Sequence, residues 1–152
     1  MKQQRRARAI AMTPDELDAF LAEERTCRVA TVSPQGPHNT PLWYAWHGGS
    51  IWLTSLYRSQ RWTDLMRDPR VAIVVDAGHD YGELRGVELR GRVEVVGEVP
   101  RVGEPNPELE PVEQLFADRY TGGTFVHDQR HAWLRMTPEK VTSWDFRKLG
   151  AS

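Results

Sequence analysis

Cysteine is almost missing from this chain: of 152 residues, Cys27 is the only one. An internal disulfide is therefore excluded, and a reducing compartment is expected. No apolar run approaches the roughly 18 residues that a membrane-spanning helix needs. Charge of one sign is lacking too, since 20 basic and 21 acidic residues leave a net charge of −1. Nothing in that balance points to bulk nucleic-acid binding. Gly-x-Gly-x-x-Gly, Walker and Ser-x-x-Lys patterns are all missing, which argues against a Rossmann site, a nucleotidase and a serine acyl-enzyme. What is there suffices for one domain with a real core and is too short for two ordinary ones.

The first residues carry Lys2, Arg5, Arg6 and Arg8 without the apolar stretch that follows in a secretory signal. Residues 1–12 are read as a disordered basic lead and residues 13–149 as a single folded domain. The expectation is a cytoplasmic protein with neither a membrane nor a nucleic-acid partner.

Thr13-Pro14-Asp15-Glu16 is a helix start: Thr13 and Glu16 form a capping box, Pro14 fits the first helical position, and Asp15 complements the dipole. Leu17, Phe20 and Leu21 give that helix its buried stripe, and it ends near Glu24. From Cys27 the period changes to that of strands. Segments 27–32, 39–46, 51–55 and 70–76 read as strands, with turns at 33–37 and 47–50. Segment 84–98 reads as one long bent strand, or two pieces hinged at Gly91, with Val87, Leu89, Val93 and Val95 on its apolar face. Four prolines make 100–111 an irregular connection, and 112–120 a second amphipathic helix with Leu115 and Phe116 inward. Strands at 130–136 and 140–146 flank a turn at Thr137-Pro138. There is no internal repeat. So many short consecutive strands favour an antiparallel barrel, in which closure removes open edges.

The most informative stretch is 54–69. A strand ends there in a turn, and Ser59 caps a short helix closed by Asp68-Pro69, with Trp62, Leu65 and Met66 on the inner face. Arg58 and Arg61 sit at the positive end of that helix, where cations cost stability unless an anion is present. Free N–H groups, a hydroxyl and guanidiniums at one helix start describe an anion site, most plausibly for phosphate, against the plainer reading of a solvated first turn.

Four segments taken in order resemble one family. They are Arg28 to His38, Thr40-Pro41-Leu42-Trp43-Tyr44, Ser59 to Arg70, and Ser143-Trp144-Asp145-Phe146-Arg147-Lys148-Leu149. Together they are similar to the split β-barrel family of pyridoxamine-phosphate-oxidase-like (FMN-binding) flavoproteins, above all the branch that uses the deazaflavin coenzyme F420. The fold this implies is mainly β, an antiparallel Greek-key barrel with a few helices. The resemblance implies a homodimer with cofactors lying between subunits. Thr40, Pro41, Leu42 and Trp43 would line the tricyclic ring, and Thr54, Ser59, Gln60 and Arg61 would hold the phosphate. Arg61 stands where many relatives have lysine; both are cations, and arginine offers a planar fork. Tyr81 and Trp144 are candidates for contributions from the second subunit.

The activity implied is an F420-dependent oxidoreductase moving a hydride to an unsaturated small molecule. FMN in the same fold is the alternative, and a non-catalytic flavin-, deazaflavin- or haem-binding protein is a further one. No catalytic acid or base is required of the chain, and Tyr44 is only a weak candidate for a proton donor, against a packing role. His127 and His131 have the i, i+4 spacing of a helical metal pair but lack the glutamate after the first histidine and a third ligand, so no metal is assigned.

Overall fold

The structure, a computed structural model, describes residues 4–150. Helix α1 (Pro14–Glu23) opens with the expected capping box: the Thr13 side chain accepts from the Glu16 N–H, and the Glu16 carboxylate accepts from the Thr13 N–H. Phe20 and Leu21 are buried from its inner face, and Leu17 packs beside them.

Strands β1 (Thr26–Ser33), β2 (Gly36–Trp43), β3 (Ala45–His47) and β4 (Ser50–Leu56) follow, then α2 (Gln60–Arg67), β5 (Arg70–Ala77) and the long β6 (Arg85–Val96). After α3 (Leu109–Tyr120) the chain ends in β7 (His131–Met136) and β8 (Lys140–Asp145). All pairings are antiparallel, in the order β2-β1-β5-β6-β7-β4-β3, with β8 also on β6. The two ends of that path, β2 and β3, are separated in sequence by Tyr44 alone. The sheet therefore has to curl until its ends meet, which makes the molecule a split antiparallel β-barrel.

Several elements differ from their sequence expectation. The strand expected at 39–46 breaks at Tyr44, because its two halves pair with opposite ends of the sheet. Strands β7 and β8 do not pair with each other; they run in succession along β6, which bends between them at Gly91. A Cβ on Gly91 would lie 3.0 Å from both Met136 Sδ and the Thr137 carbonyl oxygen, so the bend needs glycine. Near the end of β6 it is Val96, not Val95, that is buried, because α3 covers the face that Val96 shares with Trp133 and Leu109. Helix α3 begins at Leu109, ahead of the expected start, because the Asn106 side chain accepts from the Leu109 N–H. Met66 is exposed, and the inner face of α2 is instead Trp62, Asp64 and Leu65.

Part of the lead read as disordered is placed. Gln4 bonds both backbone groups of Ser143, and the Met12 N–H donates to the Ser143 hydroxyl. This segment covers β8, which otherwise pairs only with β6. Lys2 lies outside the described residues.

Two apolar clusters result. The barrel interior holds residues such as Leu21, Cys27, Ile51, Leu53, Ile73 and Leu89. The second cluster, outside the barrel, packs α3 through Leu109, Val112 and Phe116 onto Trp52, Val96 and Trp133. Strands β4 and β7 are covered on both faces as a result. This anchors the wall that carries the candidate site.

Candidate functional site

The β4–α2 turn is built as its sequence suggests. Ser59 caps α2 by accepting from the Trp62 N–H at 3.1 Å, and no acidic residue stands in the first turn to answer Arg61. The Arg61 guanidinium reaches across the barrel split. It donates to Thr40 Oγ1 on β2 and, at 3.5 Å, to Ser55 Oγ on β4. Its Nε is buried without any partner, and no carboxylate pairs with Arg61 among the described residues. Burial lowers its pKa from the ordinary guanidinium value, a sign that the charge is poorly solvated. A desolvated cation held only by hydroxyls is a ready receptor for an anion.

Beside this end lies a cavity of about 350 Å³ lined by Leu42, Trp43, Thr54, Phe116, Phe125 and His131, among others. Trp43 is the last residue of β2 and is 47% exposed, unusual for so large a side chain. Its ring stacks on Tyr120 with centroids 4.6 Å apart, and Phe116 packs edge-on behind both. Tyr120 is pinned in turn, since its hydroxyl lies 2.8 Å from the carbonyl oxygens of both Tyr44 and Arg25, which share its one proton. Strand β2 pairs only with β1, so Pro41, which has no N–H, sits on a sheet edge where it costs no ladder bond. The cleft thus offers a flat aromatic wall beside a cationic turn.

The wall is buttressed from behind. Glu113 on α3 accepts from Arg101 at 2.9 and 3.0 Å and from Trp133 Nε1 at 2.9 Å, and it lies 3.4 Å from His127 Nε2. Burial favours the neutral Glu113 acid, yet the hydrogen bonds from Arg101 and Trp133 hold its pKa below the usual value. These contacts fix Trp133, on which Phe116 and Phe125 pack.

The sequence-derived residues fall into four groups. Thr40, Ser59 and Arg61 meet at the turn; Leu42, Trp43 and Thr54 line the cavity. Gln60 is turned inward and donates to Asp64 at 2.8 Å. Asp64 is fully buried and also accepts from Thr31 and Arg67; the Gln60 bond leads in keeping its carboxyl below the ordinary value. Tyr81 and Trp144 lie elsewhere: Tyr81 is 72% exposed against Phe146, and Trp144 packs over Gly86.

Of the two roles weighed for Tyr44, weak proton donor or packing residue, its surroundings favour packing. Its side chain is buried, its hydroxyl donates to the Leu21 carbonyl at 2.6 Å, and burial pushes its pKa up, so it is a packing residue. Cys27 is buried as well, its thiol pushed up to about 12 by burial. The two histidines of the i, i+4 pair separate, His127 toward Glu113 and His131 toward Asp128. Sequence reasoning did not single out Ser55, Phe125 or Asp128. Ser55 had a signal in its place at the end of the strand before the turn, whereas Phe125 and Asp128 sit in a loop without any period.

The sequence profile of the pyridoxamine 5'-phosphate oxidase family matches residues 13–145. The chain belongs to that family. Among solved structures, a conserved hypothetical protein from Mycobacterium tuberculosis is 34% identical, with a TM-score of 0.80 over 98% of this chain and 93% of that one. A FAD-binding protein from Mesorhizobium loti (19% identity, TM-score 0.68, 88% and 93% covered) and an F420 reductase (24% identity, TM-score 0.60, 82% and 94% covered) share the fold. No curated protein matches the chain. Among the described residues, the cleft between β2, β4 and α2 brings together a guanidinium without a carboxylate partner and a flat aromatic wall.

Proposed function

We propose that the chain is an F420-dependent oxidoreductase that acts on an unsaturated small molecule. The observation that carries this is Arg61, a half-buried guanidinium with no carboxylate partner, beside an aromatic cavity of tricyclic-ring proportions. Thr40, Ser59 and Arg61 would hold the cofactor phosphate, and Leu42, Trp43 and Thr54 would face its ring. When bound, the deazaflavin supplies hydride-transfer chemistry; the protein supplies position and electrostatics. The choice of F420 over FMN rests on the resemblance of the Ser143 to Leu149 tail to a deazaflavin-type subgroup. Gln60 supports Asp64 under the turn rather than the phosphate itself. Tyr81 and Trp144, away from the cleft of their own chain, are assigned to the interface of a homodimer. The exposed Tyr81 ring suits that role.

Titration of the purified protein with F420 should quench or shift the coenzyme's fluorescence in a saturable way. Arg61→Ala should weaken binding by about 1.5–3 kcal/mol, the worth of a charge-assisted contact. No spectral change at saturating F420, together with a yellow protein that releases FMN on heating, would transfer the proposal to FMN.

A further inference from the structure

The loop between α3 and β7 brings to the cleft a polar pair that the proposed function does not yet use. Asp128 Oδ1 accepts from the backbone N–H groups of Arg130 and His131 at 2.9 and 3.1 Å, and its Oδ2 lies 2.6 Å from His131 Nδ1. Burial favours the neutral Asp128 acid, but those N–H groups and the imidazole hold its carboxyl below the ordinary value. An ionised carboxylate only accepts, so His131 Nδ1 carries a proton and donates it. The tautomer is thereby fixed, and Nε2 is the atom left to gain or lose a proton. No protein group among the described residues bonds to Nε2.

Both residues line the 350 Å³ cavity, whose other lining residues are apolar or carry hydroxyls. Among the described residues, the pair is therefore the only titratable element in that wall. Other charges nearby are engaged or turned elsewhere. Arg101 gives its backbone N–H to the His131 carbonyl while Glu98 and Glu113 hold its guanidinium. His127 faces Glu113. Arg58 and Arg130 line a separate cavity with Ser59, and across the ladder His131 faces the uncharged Leu56.

We propose that His131, oriented by Asp128, recognises the polar edge of the planar ligand in this cleft, donating from protonated Nε2 to a carbonyl or anionic oxygen or nitrogen of the ring. The inference rests on the cofactor-cleft reading and adds a second, proton-linked anchor besides Arg61. A ligand held this way binds the imidazolium more tightly than the neutral ring, so its affinity falls as pH rises.

The test is the dissociation constant of F420 and of FMN between about pH 5 and 8, the range in which histidine changes charge. It is measured by fluorescence for the wild type, His131→Gln and Asp128→Asn. A phosphate on the probe titrates alike in all three proteins, so the ratio of variant to wild-type constants isolates the imidazole. The ratio for His131→Gln should be about tenfold at the acid end, as for one hydrogen bond to a charged group, and approach unity at the basic end. Asp128→Asn keeps the ring but loses its anchor, and should displace the pH at which affinity changes; it also serves should His131→Gln fail to fold. A ratio constant across pH for both variants would overturn the role of His131 and leave the cofactor reading standing. No binding of either probe to the wild type would overturn both.

Discussion

Two arginines of this chain, the buried Arg101 and the half-buried Arg61, illustrate opposite uses of a cation. Arg101 is answered in full by Glu113, Glu98 and the Glu104 carbonyl, and it locks the loop before α3 to the back of the aromatic wall. Glu113→Ala would leave that guanidinium buried without its main partner and free Trp133 Nε1. A loss of about 3–5 kcal/mol is expected from breaking such a pair, read as a lower denaturant midpoint. A change under 1 kcal/mol would mean that the network is solvated and does not brace the wall. Arg61 has no such answer within the chain. Its place at an acid-free helix start was legible in the sequence from the cap at Ser59 and the missing acid in the first turn. Its bonds to Thr40 and Ser55 were not, because they cross between strands far apart in sequence.

Among the elements, the barrel's strands were legible wherever one face is wet: β1 and β5 alternate and appear where the period places them. The break at Tyr44 was not legible. Residues 39–46 have an unbroken strand-like composition, and only closure of the sheet decides that the segment serves two edges. The inner face of α2 misled for a related reason. Met66 fits the helical period, but Asp64 takes the buried place because Thr31, Gln60 and Arg67 satisfy it there. Strand β6 offers a test of sheet packing. A Cβ on Gly86 would fall 2.4 Å from Trp144 Cζ2, so Gly86→Ala must displace the indole or the strand. A destabilisation of about 1–3 kcal/mol is expected, as for an overpacked core, with a red-shifted tryptophan emission. Unchanged stability and emission would show that Trp144 does not lie on β6.

For the whole molecule, acid should be the weak side. Despite burial, Arg101 holds Glu98 down to about 2, Arg70 holds Asp68 down to about 2, and Arg147 keeps Asp145 below its ordinary value. Carboxylates depressed in the fold contribute stability that is fully present above their ordinary values of 3.8 and 4.5 and is lost as pH falls toward 2. The melting temperature should therefore hold near neutrality and drop steeply below about pH 4.5; a flat profile down to pH 3 would contradict the cited pairings. The family profile over residues 13–145 and the curled antiparallel sheet agree on the fold. The cleft between its edges is the proposed cofactor site. Its central claim is tested most directly by fluorescence titration of F420 against the wild-type protein and Arg61→Ala. Saturable binding to the wild type, weakened about 10- to 100-fold in the variant, is the predicted result. Equal affinity in the two proteins, or no binding of F420 or FMN to either, would contradict it.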